Sequence, residues 1–165
     1  MKQSNRLHRF QTDMEKWFRS IALIRRSEEG KNFWLARPSI DRKGTLDFVS
    51  APRLQRESFR ETIRREVSWS LDVDPRKDLL ISNMSQLNLE FVACLPQDFT
   101  ESHIAVSFFL VELYGKQVKE QVFGDSNNRW LSSAEVCAGQ SRDGEPLDPR
   151  LIFLLDRARV INAWD

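Results

Sequence analysis

Apolar positions along this chain fall into separate runs whose spacing changes from one run to the next. WFRSIALIRR (Trp17 to Arg26) and NFWLARPS (Asn32 to Ser39) are dense in aromatic and branched residues and predict two strands. Ser27, Glu28, Glu29 and Gly30 between them predict a hairpin-like turn. Further on the period lengthens: Phe59, Ile63, Val67 and Leu71 recur at the spacing of a helix with one face on a core. LNLEFVACLP (Leu87 to Pro96) and HIAVSFFLVELYG (His103 to Gly115) predict two more strands, the second long and strongly apolar. Asp148 and Pro149 read as the cap and first-turn proline of a last helix, with Leu151, Ile152, Leu154, Leu155 and Ala158 on its buried side.

Strands interleaved with helices predict an α/β protein, and 165 residues suit a single domain with one substantial core. The first segment, MKQSNRLHRFQTDMEK, is locally basic and polar, and residues 1–14 are expected to be an N-terminal extension with a solvated surface. A net charge of +1 argues against a general polyanion binder, so nucleic acid is not the expected partner. Neither a membrane-spanning apolar stretch nor the short hydrophobic core of a signal peptide is present, which places the expected location in the cytoplasm. Cys94 and Cys137 lack the paired spacing of a zinc or redox site and are expected to be reduced, partly buried thiols. His8 and His103 form no ligand cluster; His103 opens the long strand as a core or edge residue.

Several catalytic arrangements are excluded by pattern. No serine stands in a G-x-S-x-G turn, and there is no G-x-x-x-x-G-K-[ST] phosphate loop. Glu28 and Glu29 fall in the turn, where solvated charge is the ordinary explanation. Glu112 lies within the long apolar strand, either toward a ligand cleft or on a solvated sheet face.

One segment has a motif's spacing. APRLQRESFRETIRREVSWSLDV (Ala51 to Val73) resembles the Nudix box, G-x5-E-x7-R-E-U-x-E-E-x-G-U with U a bulky aliphatic residue, and matches it without gaps at Glu57, Arg65, Glu66, Val67 and Val73. It departs at Ala51 for the first glycine, at Trp69 and Ser70 for the paired glutamates, and at Asp72 for the second glycine. Val49, Ser50 and Ala51 stand where the family runs a strand into Pro-Gly-Gly, which reduces the backbone freedom for close approach to phosphate. Trp130, Leu131 and Glu135 are placed like the family's tryptophan strand and the short acidic helix after it. The resemblance covers most of the chain and implies a Nudix-like α/β/α sandwich around a mixed β-sheet.

In that family the box helix points carboxylates at divalent ions that grip a diphosphate, and magnesium or manganese would be the implied cofactor. Hard cations need several oxygen ligands. Trp69 and Ser70, three and four residues after Glu66, share its helical face, so two of three carboxylates are missing there. Glu120 or Asp125, from the loop ahead of the tryptophan strand, is the resemblance's candidate for joining Glu66 at an ion. Glu57 and Arg65 read as a structural ion pair between loop and helix. Asp72 is expected to adopt the left-handed conformation that a glycine usually supplies after a helix.

Two functions follow. The favoured one is a non-catalytic module that binds a nucleotide-like ligand or a protein partner, with Arg65, Trp69, Ser70 and Glu112 as candidate ligand contacts and Trp69 either stacking on a base or blocking the diphosphate position, or else packing on a neighbouring loop or subunit. The alternative is a divergent hydrolase cleaving a nucleoside diphosphate derivative with magnesium or manganese, with Glu66 as the catalytic and metal residue.

Overall fold

The computed structural model describes residues 14–165, and for residues 83–87 the backbone alone. The N-terminal extension expected over residues 1–14, with His8, lies outside the described residues apart from Met14. The elements run β1 (Glu15–Glu28), β2 (Lys31–Pro38), β3 (Leu46–Asp47), β4 (Ser50–Pro52), α1 (Phe59–Leu71), β5 (Leu79–Ala93), β6 (Ser102–Leu113), α2 (Lys116–Gly124), β7 (Arg129–Ser132), α3 (Ser133–Ala138) and α4 (Pro149–Ala158).

β1 and β2 form a hairpin whose turn residues, Glu29 and Gly30, both have positive φ (50° and 78°), the geometry that matches the twist of paired strands. The seven strands form a mixed sheet in the order β3-β2-β1-β6-β5, with β4 on β1 and β7 on β2. β1 and β6 are parallel over Glu15↔Ser102 to Arg25↔Glu112; the other long pairings are antiparallel. The second edge of β1 changes partner along its length. Arg19, Ser20 and Ile21 pair with Pro52, Ala51 and Ser50 of β4, and from Arg25 onward the partner is β2. β2 then moves off to pair with β3 (Arg37↔Asp47), leaving a wedge that the chain from Asp47 to Pro52 occupies.

Alternation along β1 sends Ile21 and Leu23 to one apolar layer and Ala22 and Ile24 to another. The first layer includes Leu151, Leu154 and Ala158 of α4, and the second Ile63, Val67 and Leu71 of α1 with Val118 and Val122 of α2. Helices therefore cover both faces of a mixed sheet, the α/β/α sandwich expected. Asp148 caps α4 as expected, its carboxylate accepting from Arg150 N at 2.8 Å with Pro149 in the first turn.

The structure corrects several expectations. Helix α2 was not legible, and β5 begins at Leu79, eight residues before the predicted start at Leu87. Ile152 is exposed and Leu155 half-buried, so the core face of α4 is narrower than its apolar content. Cys94, just beyond the end of β5, and Cys137, on α3, are both exposed.

Ile63 is fully buried between α1 and the sheet. Ile63→Ala is expected to lower unfolding free energy in denaturant by about 2–5 kcal/mol, and Phe99→Ala, at a fully exposed position, to change it by less than about 0.5 kcal/mol.

Candidate functional site

The box segment is held by a short polar network. Ser58 caps α1: its hydroxyl accepts from Glu61 N at 3.1 Å, and the Glu61 carboxylate accepts from Ser58 N at 2.7 Å. One residue earlier, the Glu57 carboxylate accepts from Arg65 Nε (3.1 Å) and Nη2 (3.0 Å), the Thr62 hydroxyl (2.6 Å) and Leu54 N (3.3 Å). These donors, Arg65 first, pull the Glu57 carboxyl down from 4.5 to about 2, and Glu57 raises the Arg65 pKa in return. At the other end Asp72 takes the left-handed conformation (φ 52°, ψ 56°), with its N–H on Ser68 O. Ser20, buried in β1, donates to Phe59 O at 2.6 Å and docks the first turn of α1 on the sheet.

Beside this network, at the wedge between β2 and β4, lies a cavity of about 580 Å³. Arg65, Glu66 and Ser70 line it from α1, Arg19 from β1, residues 37–41 and 47–52 from the wedge, and Asn127 from the loop before β7. Ser70 Oγ donates to Glu66 Oε1 at 3.4 Å. The Arg37 guanidinium donates to Ser70 O, a cation meeting a helix C-terminal carbonyl. Arg19 Nη2 donates to Ser50 Oγ at 3.3 Å, and its guanidinium lies 5.4 Å from the centre of the Trp17 ring. Burial lowers the Arg19 pKa against the more distant pull of Asp47, Asp41 and Glu66. Burial, followed by the nearby Asp148, raises the Asp47 carboxyl to about 7, although Phe48 N donates to it at 2.8 Å. Perturbed groups in a cavity are what a functional site displays.

The cavity brings together Arg65, Glu66 and Ser70, with Glu57 holding Arg65 from behind. Four other candidates do not reach it. Trp69 is 86% exposed: it does not line the cavity, and nothing among the described residues covers its indole. Glu112 pairs with its register neighbour Arg25 across β1 and β6. Glu120 is on the exposed side of α2, 3.9 Å from Lys116 Nζ. Asp125 accepts from Asn127 N at 2.9 Å, and it is the neutral Asn127 that reaches the cavity from this loop. Among the described residues no three His, Cys, Asp or Glu side chains come together in a way that would hold an ion. Arg19, Arg37, Asp41 and Asp47 were missed. For Arg19, Arg37 and Asp47 the signal is charge inside strand-like runs, as in WFRSIAL and LDFV, which ordinarily marks a solvated face; Asp41 lies in the loop between β2 and β3.

The fold is that of the Nudix superfamily. The chain is similar to the Ap4A hydrolase of C. elegans (TM-score 0.58, 13% identity, covering 86% of this chain and 95% of that one). It is also similar to the NUDIX domain of Shewanella oneidensis NrtR, solved with ADP ribose (TM-score 0.54, 13% identity, 96% and 97% covered). A further NrtR structure from that organism holds a 27mer DNA (TM-score 0.57, 15% identity, 86% and 60% covered). The expectation from net charge that nucleic acid is not a partner therefore draws no support from the fold. No protein-family model matches the sequence, and no curated protein matches it either. Among the described residues no helix is long and apolar enough to cross a membrane.

A carboxyl held below its ordinary pKa stabilises the fold above about pH 4.5, and that contribution fades as pH falls toward 2. Arg65→Ala should therefore lower the melting temperature at pH 7, and the gap from wild type should close as melts are repeated down to pH 2. For Asp47 the sign is opposite. The folded state holds this proton longer than the unfolded chain does, so stability falls as pH rises from about 4 to about 7. Asp47→Asn should raise the melting temperature at pH 8 and leave it nearly unchanged at pH 4.

Proposed function

We propose that this chain is a non-catalytic Nudix-fold module that binds a nucleotide-like ligand in the cavity between α1 and the β2–β4 wedge. The observation that supports this reading is the composition of the cavity wall. From the box helix the wall receives one carboxylate, Glu66, with Ser70 beside it, while arginines enter from β1, β2 and α1. A divalent ion prefers several anionic oxygens arranged around it. Here Asp41, Asp47 and Glu66 act on the guanidinium of Arg19, and that resident cation opposes a second one in the same field. The donor set does not fit the metal that the fold family implies, and no step is assigned to one.

The chemistry that remains is recognition. The wall mixes apolar surface from Phe48, Val49 and Leu54 with guanidinium and carboxylate groups, which suits a ligand with a planar or sugar portion and an anionic portion. That the NUDIX domain of NrtR is solved with ADP ribose supports the choice of ligand class. The exposed indole of Trp69, just outside the cavity, gives such a module a surface for a protein partner whose docking depends on the ligand.

Glu66 on the wall is the observation that favours the hydrolase alternative. Calorimetry with ADP-ribose, ADP and adenosine in EDTA decides between the two, alongside phosphate and AMP release from dinucleotides, nucleotide sugars and NTPs in magnesium or manganese. The expected result is micromolar binding of ADP-ribose or ADP in EDTA, weaker binding of adenosine, and no release of product. Metal-dependent hydrolysis abolished by Glu66→Gln would replace the binding reading with the enzymatic one.

A further inference from the structure

We propose that Arg19 is the anion-binding residue of the cavity, a positioned guanidinium that grips a phosphate or diphosphate group without a divalent ion. The proposal rests on the ligand-binding reading above and names the group that does the recognising.

Three arginines line the cavity, and they differ in what already holds them. Arg65 is bound through two nitrogens to Glu57. Arg37 is turned onto the carbonyl of Ser70 at the end of α1. Arg19 makes a single hydrogen bond, to the hydroxyl of Ser50, and among the described residues no carboxylate lies within ion-pair distance of it. A guanidinium has five N–H donors, so Arg19, which lines the cavity, keeps donors available to a ligand there.

That arrangement is costly in the empty protein. Water is partly excluded around Arg19, which lowers its pKa, and a desolvated cation without a paired anion is unfavourable. A residue whose role was to brace the fold would be expected to resemble Arg65, with its carboxylate in place. Arg19 is instead oriented by softer contacts: the Trp17 ring at 5.4 Å and Ser50 Oγ at 3.3 Å. Because Ser50 Oγ accepts from Arg19, its own proton is free to donate to the same ligand oxygen. A guanidinium matches two phosphate oxygens at once, which makes arginine suited to this ligand where lysine would act only as a point charge.

The probe is inorganic pyrophosphate, titrated by calorimetry in EDTA against wild type, Arg19→Gln and Arg19→Lys, with ADP-ribose as a second titrant and thermal melts of each protein. Pyrophosphate should bind wild type and lose at least about tenfold in affinity with Arg19→Gln, the loss of one charge-assisted contact. Arg19→Lys should fall between the two. The melting temperature of Arg19→Gln should be equal to or above that of wild type, an outcome that a bracing role would not produce. If Arg19→Gln fails to fold, a severalfold loss of affinity in Arg19→Lys supports the proposal and unchanged affinity overturns it. Absence of pyrophosphate binding by wild type, or affinity within twofold in Arg19→Gln, overturns it as well. ADP-ribose binding that ignores Arg19→Gln would sink this proposal and leave the ligand-binding reading standing. Pyrophosphate held through Arg19 with no nucleotide bound would do the reverse.

Discussion

Ser20 to Ile24 of β1 are almost wholly removed from water, and because successive side chains alternate in direction, this one run has to satisfy two apolar layers at once. Ile21 and Leu23 face the layer of α4, Ala22 and Ile24 the layer of α1. A strand buried on both faces tolerates no polar group without a partner. Ser20 meets that condition by donating to Phe59 O, and in doing so it sets where α1 begins relative to the sheet. The position of Glu66 and Ser70 on the cavity wall is thus inherited from a hydrogen bond at the far end of their helix. Arg19 stands one residue before the buried run, where β1 borders the cavity.

Two arginines of the same cavity show how a protein separates stability from recognition. Arg65 and Glu57 satisfy each other, with Thr62 and Leu54 completing the carboxylate's partners, so the pair defines the loop before α1 and has little capacity for a ligand. Around Arg19 the carboxylates act only from a distance, and one of them, Asp47, is held partly protonated near neutrality by burial and by Asp148. A wall with equal numbers of arginines and acids would be expected to cancel. It does not cancel locally, because pairing is local: Glu57 takes Arg65 out of play from outside the wall, and protonation of Asp47 weakens the acidic side.

How much of this could be read from the chain depended on the range of the interaction. Periodicity placed β1, β2, β6, α1 and α4 because each buries a regular face, and local capping chemistry placed Asp148 and the left-handed Asp72. Helix α2 escaped because its buried contribution is small, Val118 and Val122 four apart among polar residues. Glu112 seemed a cleft candidate because its partner, Arg25, is set by the register of a parallel pairing 87 residues apart, which no local pattern encodes. The direction of Trp69 was equally hidden. Helical spacing gave its neighbours on α1 correctly, but whether anything outside the helix covers an indole is a tertiary fact. Arg19 was passed over for a related reason: a charge in a strand is usually solvated, and only the change of partner along β1 turns its position into a cavity wall.

Several side chains in the segment from Ala51 to Val73 serve the fold. Glu57, Arg65 and Val67 act within the chain, two in the clamp and one in the core, and their presence keeps the loop and helix in place whatever the ligand. Asp72 takes the left-handed backbone that a glycine usually supplies after a helix. Trp69 and Ser70 have less of such an internal role: position 69 faces water, and Ser70 contributes to Arg37 a carbonyl that any residue would provide. With Trp69 in water outside the cavity and Ser70 on its wall, Glu66 is the carboxylate that α1 presents there. Beside a single carboxylate from α1, a guanidinium such as Arg19 is a physically consistent source of positive charge on this wall, because it needs no carboxylate cage to remain there.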